Sequence, residues 1–192
     1  MVGGYNWMNL VKKIFWKFYS KFVCSIKFGQ KSYIIRPLQI DSAKSILIGK
    51  DVIVYDQCWF YGGQSDKSNT LIIEDGVRIG HFAHIIAMNN VHIKKHVLIA
   101  DKVFISDCTH NYDDVGLPIL SQGTKVLSEV TIGEDSWIGE NVCICGASIG
   151  KHCVIGANSV VTKDIPDYCV AAGIPAKVIK KYNFEKNSWD RI

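Results

Sequence analysis

The stretch that decides the fold runs from Val130 to Asp164 and reads VTIGEDSWIGENVCICGASIGKHCVIGANSVVTKD. Neither the 3.6-residue period of a helix nor the two-residue period of a lone strand explains its spacing. An aliphatic residue followed by a small one recurs about every six positions, at Ile132-Gly133, Ile138-Gly139, Ile149-Gly150, Ile155-Gly156 and Val161-Thr162. A step of six predicts a solenoid whose coils have flat sides, each turning one aliphatic side chain inward.

The same rhythm extends towards the N-terminus as far as Ile46. Polar residues interrupt it between Gly62 and Asn69, which predicts a surface loop, and it slips by two residues at Asn89 and Asn90, which predicts a local bulge. We therefore expect the coils to occupy residues 46–165 and a short extension to occupy residues 166–192. The aliphatic positions in this part are Ile48, Val54, Ile73, Ile79, Ile85, Ile93, Ile99 and Ile105.

The rhythm stops at His110, and the next residues, HNYDDVGLPILSQGTKVLSEV, have the composition of a loop. We expect this loop to protrude from the coils at about residues 111–128. A long loop in an otherwise regular solenoid is usually functional. His110, at the junction of coil and loop, is therefore a candidate catalytic residue.

Residues 1–45 are predicted to form an N-terminal amphipathic helix, at 5–24, followed by an extended linker. Apolar residues follow one broad face of this helix, and Lys13, Lys17 and Lys21 recur four residues apart on a narrower one. One interpretation is a helix that docks on the open end of the solenoid or on a neighbouring subunit. The other is a helix that lies on an anionic membrane surface, since its charges prevent it from spanning a bilayer.

Charge and cysteine content exclude several classes of protein. The formal net charge is +4, but residues 1–40 contain seven basic residues and no acidic one, so the basic character belongs to the N-terminus and does not indicate a nucleic-acid groove. The seven cysteines are odd in number and several interrupt aliphatic units, which favours reduced thiols over a disulfide framework. No cleavable signal sequence is recognisable, and we expect a cytoplasmic location.

The repeat units IGEDSW, IGENVC and IGANSVVTKDIP, followed by AAGIPAKVIKK, resemble those of the hexapeptide-repeat acyltransferases, which fold as left-handed parallel β-helices. The segment VLIADKVFISDCTHNYDDVGLPILSQG is more specifically similar to sugar O-acetyltransferases of lipopolysaccharide and capsule biosynthesis and to galactoside and maltose acetyltransferases. The resemblance covers about residues 46–181. It implies an all-β solenoid, acetyl-CoA as co-substrate, a sugar or glycan precursor as acceptor, and a homotrimer whose sites are shared between adjacent chains.

The resemblance also implies roles for individual residues. His110 matches the general base that takes the proton of the acceptor hydroxyl, a task that suits imidazole because it changes protonation near neutral pH. Apart from the resemblance, Asp113 and Asp114 could orient His110 or contact the sugar, or they could simply be solvated loop residues. Matches to the positions that bind acetyl-CoA are the aromatic Trp137, then Ala157, Thr162 and Lys163 in the last coils, and the basic Lys177 and Lys180.

Three features depart from the family pattern. Relatives often have a second histidine where this chain has Cys108, Glu140 replaces a small polar residue near the cofactor, and the unit that begins at Ile144 has five residues instead of six. A non-enzymatic β-helix scaffold, a sugar N-acetyltransferase and a metal-dependent hydratase therefore remain alternatives. We expect no metal site, because the spacing of His81, His84, His92 and His96 defines no set of ligands.

Overall fold

The computed structural model of the chain describes residues 10–22, 26–63 and 70–192. Parallel strands are stacked in three sheets, which form the three sides of a coil, and this confirms the repeat-based prediction of a parallel β-helix. The strands of the first sheet, which we call sheet A, are β1 (Lys27–Phe28), β4 (Ile46–Ile48), β7 (Leu71–Ile73), β10 (Val91–Ile93) and β15 (Val130–Ile132).

Sheet B begins as a parallel stack and ends in an antiparallel extension. After Pro166 the chain forms the last parallel strand of this sheet. It then reverses direction twice and adds two antiparallel strands at the edge of the sheet. The strands are β2 (Tyr33–Ile34), β5 (Ile53–Val54), β8 (Arg78–Ile79), β11 (Leu98–Ile99), β16 (Trp137–Ile138), β18 (Val154–Ile155), β20 (Cys169–Gly173), β21 (Ala176–Asn183) and β22 (Ser188–Arg191).

Sheet C forms the third side, and a separate two-stranded hairpin leaves the coil from it. The strands of sheet C are β3 (Gln39–Asp41), β6 (Trp59–Gly62), β9 (His84–Ala87), β12 (Phe104–Ser106), β17 (Cys143–Cys145) and β19 (Val160–Val161). The hairpin consists of β13 (Cys108–His110) and β14 (Thr124–Val126), joined by a loop with a short 3-10 turn at Ile119–Ser121. We call residues 108–126 the arm.

The inward position of each six-residue unit forms the core. Each of these side chains is no more than 1% exposed: Ile48, Val54, Ile73, Ile79, Ile85, Ile93, Ile99, Ile105, Ile132, Ile138, Ile144, Ile149, Ile155 and Val161. The small residue that follows is required where coils approach closely, because a Cβ on Gly133 would lie 2.4 Å from the carbonyl carbon of Gly150. The repeat therefore encodes both the apolar interior and the spacing of the coils.

Two corners of the coil are formed by residues with left-handed backbone conformation, which bends the chain sharply from one sheet to the next. At the corner between sheets A and B these residues are Lys31, Asp51, Gly76, His96, Asp135, His152 and Tyr168, and at the corner between sheets B and C they are Arg36, Gln57, Phe82, Lys102, Asn141 and Asn158. The first members of both rows precede residue 46. The coil stack thus begins with β1 to β3, in the segment that the sequence suggested was an extended linker.

Helix α1 (Leu10–Phe22) lies at the open end of the coil, against β2. Residues 5–9 and 23–24 of the predicted helix lie outside the described residues. Tyr33 and Ile35 donate their backbone N–H groups to the next coil, so the N–H and C=O of Ile34 face the open edge. Ser20 Oγ of α1 accepts from Ile34 N–H at 2.8 Å and lies 3.3 Å from its carbonyl oxygen. Within the described residues, no helix is both long and apolar enough to cross a membrane.

Candidate active site

The arm leaves the coil immediately after a buried carboxylate. Asp107 is fully buried, and its carboxylate accepts hydrogen bonds from the backbone N–H groups of Met88, Asn89 and Asn90 at 2.7–2.8 Å. The slip that the sequence shows at Asn89 and Asn90 is therefore a tight turn around this carboxylate. Asp107 also closes the base of the arm, because its carbonyl oxygen accepts from the N–H of Leu127.

The shortened repeat at Ile144 makes room for the returning arm. Gly146 has a left-handed φ of 56°, and a Cβ there would lie 2.6 Å from the Cβ of Leu127. Ser128 Oγ donates to the carbonyl oxygen of Gly146 at 2.6 Å. The unit is therefore one residue shorter where the segment that follows the arm packs against this coil.

His110 is exposed at the end of β13, opposite Thr124 of β14. It lines a groove of about 420 Å³ between the arm and the outer face of sheet C. We call this the His110 groove. Its floor includes Trp59, Tyr61 and Phe104, which occupy outward positions of the repeat and were not identified from the sequence.

Burial favours the protonated form of two thiols that line this groove. Cys108 and Cys145 line it, and the sulfur atoms of Cys143 and Cys145 are 3.5 Å apart. Burial raises the pKa of Cys145 to about 12, with Cys143 adding to the effect, and burial also raises the pKa of Cys108. Because the thiolate is the nucleophilic form of cysteine, these residues are poor candidates for a covalent acyl intermediate. They differ from Cys58, Cys153 and Cys169, which are buried as the sequence led us to expect.

His84 is a second histidine beside the groove floor. Its ring stacks on Trp59 with centroids 4.2 Å apart and meets the edge of Phe104 at 5.3 Å. Burial lowers the pKa of its imidazole, so the ring is neutral. Its Nε2 is buried without a hydrogen-bond partner among the described residues. A lone histidine in a β-repeat gives no sequence signal for such a position.

Two carboxylates of the arm are engaged within the arm itself. Asp113 forms an ion pair with Lys125 at 3.0 Å, and Asp114 accepts from the N–H of Gly116 at 2.8 Å. The Gln122 side chain also holds the loop, because its Oε1 accepts from the N–H of Asp114 and its Nε2 donates to the carbonyl oxygen of Asp114. Neither carboxylate has a hydrogen bond to His110 within the part of the chain that the structure describes.

Trp137 and Glu140 lie on another side of the coil from His110. They line a groove of about 510 Å³ on sheet B, with Leu98 and Arg78, which we call the Trp137 groove. The Trp137 side chain is 50% exposed. Glu140 reaches Lys102 of the preceding coil at 3.4 Å, so its charge is partly balanced within the chain.

The other predicted acetyl-CoA residues lie in the last coils and the extension. Ala157, Thr162 and Lys163 are exposed at the turns that follow β18 and β19. Lys177 is exposed on β21, whereas Lys180 is half-buried on the same strand. None of these residues lines the His110 groove of the same chain.

Three of the other four histidines form pairs with carboxylates, and the fourth, His152, lies against the ring of Tyr168. His81 contacts Asp56, His92 Nε2 lies 2.7 Å from Glu74, and His96 Nδ1 lies 3.3 Å from Asp135. In residues 10–22, 26–63 and 70–192 no three His, Cys, Asp or Glu side chains form a group that could hold a metal ion.

Comparison with known proteins identifies the family. A model for the hexapeptide repeat of succinyl-transferase matches residues 129–163. The protein of Escherichia coli K12 that has the name lipopolysaccharide biosynthesis O-acetyl transferase WbbJ is 41% identical over 63% of this chain and 65% of its own length. The galactoside O-acetyltransferase of Lactococcus lactis is 30% identical over 82% of this chain and 74% of its own length. The chain belongs to the hexapeptide-repeat acetyltransferase family.

A solved structure of this acetyltransferase family has the same architecture. Galactoside acetyltransferase in complex with coenzyme A matches 78% of this chain and 68% of its own with a TM-score of 0.55 and 29% sequence identity. This chain spans 65% of the length of WbbJ, which is just under two thirds.

Proposed function

We propose that the protein is an acetyl-CoA-dependent O-acetyltransferase that acetylates a hydroxyl of a sugar or surface-glycan precursor. The observation that supports this best is the exposed His110 at the edge of a groove of about 420 Å³, in a chain of the acetyltransferase family. Coenzyme A in the related galactoside acetyltransferase supports acetyl-CoA as the co-substrate. The coil is proposed to be left-handed, as the family resemblance implies.

His110 is proposed to act as the general base. Acetyl-CoA supplies an activated acetyl thioester, and His110 accepts the proton of the acceptor hydroxyl as its oxygen attacks. The new bond joins that oxygen to the acetyl carbon, the bond from the acetyl carbon to sulfur breaks, and the proton can pass from the imidazolium to the departing sulfur. The raised pKa values of Cys108 and Cys145 support direct transfer over a route through an acyl-cysteine.

The experiment that tests this function combines binding and turnover. Acetyl-CoA is incubated with the protein and a panel of free, nucleotide-linked and lipid-linked saccharides, and released thiol is measured. We expect acceptor-dependent thiol release and a product whose acetyl group is removed by mild alkali, as for an ester but not for an amide. Failure of millimolar CoA to raise the melting temperature, together with no acceptor-dependent thiol release, would reject the proposal.

We propose that Trp137, Ala157, Thr162, Lys163, Lys177 and Lys180 bind acetyl-CoA. The exposed Lys163 and Lys177 ammonium groups are suited to pair with phosphate oxygens. The half-buried Lys180 fits this role less well, because less of its side chain is accessible to a phosphate. Asp113 and Asp114 are proposed to help shape the acceptor site through the arm.

Lys163→Ala is expected to weaken CoA binding about two- to five-fold at low ionic strength and by less at high salt, because solvent ions screen an exposed charge. Titration calorimetry at two salt concentrations measures the effect. Lys95→Ala, which removes an exposed lysine from a different corner of the coil, is the matched control and should leave CoA affinity unchanged. Affinity of the Lys163 variant equal to that of the wild type at both salt concentrations would remove this residue from the site.

We propose that the protein is a homotrimer whose active sites lie between adjacent chains. The His110 groove and the Trp137 groove lie on different sheets of one coil, so a single chain does not bring the proposed base and the proposed cofactor residues together. The tip of the arm also presents apolar side chains to solvent, including Leu117 at 52% and Leu120 at 92% exposure. A neighbouring chain that buried this tip would be adjacent to the arm, where its own Trp137 groove could face the His110 groove.

The double variant Leu117→Ser/Leu120→Ser is expected to weaken trimer association by more than about ten-fold, because two leucines no longer become buried. Light scattering across a dilution series measures the change. Leu38→Ser, an exposed leucine of the first coil, is the control and should leave the mass unchanged. A variant arm that leaves the mass at every dilution equal to that of the wild type would contradict an arm-mediated trimer.

We place this activity in the cytoplasm, where acetyl-CoA is made, with peripheral association at the inner face of the plasma membrane through the N-terminal helix. The basic N-terminal segment supports this location.

A further inference from the structure

Helix α1 contacts the coil through the side that carries Ser20 and Tyr19. Ser20 is fully buried and hydrogen-bonds to the edge strand β2, and its hydroxyl also lies 2.7 Å from the carbonyl oxygen of Trp16. Tyr19 packs partly buried against the core of the first coil. The docked side of the helix therefore satisfies exposed backbone groups of an edge strand, a task for which a serine is well suited.

The opposite side of the helix is apolar and faces solvent. Ile14, Phe15 and Phe18 are 51%, 57% and 64% exposed. At 3.6 residues per turn all three lie in the half of the helix that points away from Ser20. A helix that docks on its own protein normally buries such a face. In the described part of the chain more than half of each of these side chains stays exposed, which suits contact with an apolar environment outside this chain.

Two exposed lysines lie to one side of this apolar face, on which Lys17 follows Ile14 by about one helical turn. Lys17 of α1 and Lys31 of the first coil line a shared cavity of about 540 Å³. Residues 1–40 contain no acidic residue, and Asp51, which lies one coil away from Lys31, pairs with Arg78 at 3.2 Å. Exposed aromatic and aliphatic side chains beside lysines are typical of helices that lie in the interface of anionic bilayers.

We propose that α1 binds an anionic phospholipid bilayer by inserting Ile14, Phe15 and Phe18 at the level of the lipid headgroups, with Lys17 and Lys31 at the lipid phosphates. The helix has 13 residues and is about 20 Å long, which suits a helix lying in the membrane plane. A second copy of the chain is a poorer occupant, because pairing two such faces brings lysines of like charge together. The inference extends the proposed membrane location to specific groups and does not depend on acetyl transfer.

Vesicle co-sedimentation tests this inference. The full chain is mixed with phosphatidylcholine vesicles and with vesicles that also contain about 30% phosphatidylglycerol, at about 0.1 M salt. We expect binding to the anionic vesicles and at least about ten-fold weaker binding to the neutral ones. Phe15→Ser/Phe18→Ser should reduce binding to anionic vesicles about ten-fold or more, because two aromatic side chains no longer leave water.

Matched variants separate this result from indirect effects. Phe184→Ser removes an aromatic residue that is 67% exposed on the C-terminal extension, and it should bind vesicles as the wild type does. Lys17→Glu/Lys31→Glu should also lose binding to anionic vesicles, and it provides a second test if the phenylalanine variant folds poorly. Equal melting temperatures of the variants and the wild type show that the fold is retained.

Several outcomes would overturn the inference. The first is that the wild-type protein stays in the supernatant with anionic vesicles. The second is that the phenylalanine and lysine variants bind these vesicles as the wild type does. The third is that the phenylalanine variant has an altered oligomeric mass. The last result would assign the apolar face to a protein contact. Acetyl transfer to a water-soluble saccharide is measured in parallel. If the wild-type protein binds the vesicles but transfers no acetyl group, that result counts only against the proposed enzyme function.

Discussion

His110→Ala is expected to lower the turnover of acetyl transfer by about 10² to 10⁴, because the acceptor hydroxyl would lose the base that removes its proton during attack. His110 is exposed and lines the groove together with Thr109 and Thr124, so truncating its side chain removes few packing contacts. The increase in melting temperature caused by CoA should be nearly unchanged, since none of the proposed CoA residues lines this groove.

The measurement compares single-turnover rates and CoA affinity of three proteins. His96→Ala is the matched control, because His96 is an exposed histidine at the corner between sheets A and B and pairs with Asp135. It should transfer acetyl at the wild-type rate. Turnover of the His110 variant within about two-fold of the wild type would exclude general base catalysis by this residue.

Asp107→Ala is expected to lower the free energy of unfolding by about 3–5 kcal/mol, because it leaves three buried backbone N–H groups without their acceptor. Met88, Asn89 and Asn90 all donate to this carboxylate. Asp107→Asn should cost less, since the amide oxygen can still accept from part of this turn. Urea unfolding at one fixed protein concentration gives the values, because association would otherwise contribute to the measured stability.

Asp113→Ala provides the comparison for the Asp107 variant. Asp113 is a carboxylate of the arm whose side chain is 74% exposed, and its ion pair with Lys125 is solvated. Its loss should barely change the unfolding midpoint. An unfolding midpoint of Asp107→Ala equal to that of the wild type would show that the turn at Asn89 and Asn90 does not depend on the carboxylate.

The interior of the coil could be predicted from the sequence because burial follows the repeat period directly. Ile132, Ile138 and Ile155 occupy the same inward position, and each is fully buried. The point at which the arm leaves the coil was also predictable, since the rhythm stops at His110. The first coil was missed, although Phe28, Ile34 and Ile40 are six residues apart and pair with Ile48, Val54 and Phe60 of the next coil. Of these three residues only Phe28 is followed by a glycine, so the unit of an apolar and a small residue is less distinct there.

The contacts that shape the candidate site depend on residues distant in sequence. Asp107 is identified as an anchor only by N–H groups 17–19 residues earlier in the chain. The aromatic floor at Trp59 and Phe104 occupies outward positions, where the repeat imposes no residue type. The acetyl-CoA residues came from family resemblance, and they remain a prediction because a single chain separates them from His110.

The orientation of α1 illustrates another limit of sequence patterns. A helical wheel identifies the apolar face, but it does not reveal that the open coil end at Ile34 presents unpaired backbone groups. Ser20 matches those groups better than an aliphatic side chain would. The helix therefore docks on the coil through the side that carries the Ser20 hydroxyl.

The regular stacking of sheet C also fixes a height. Neighbouring strands of a sheet are about 4.8 Å apart, and β12, which leads into His110, is three strands from β3 at the edge next to α1. The point at which the arm leaves the coil therefore lies about 14 Å from that edge along the coil axis. A coil standing upright on a bilayer would act as a molecular ruler. On a lipid-linked acceptor, it would select a hydroxyl on a sugar unit some distance from the lipid anchor. One coil inserted between α1 and the arm would move the modified position outward by about 4.8 Å.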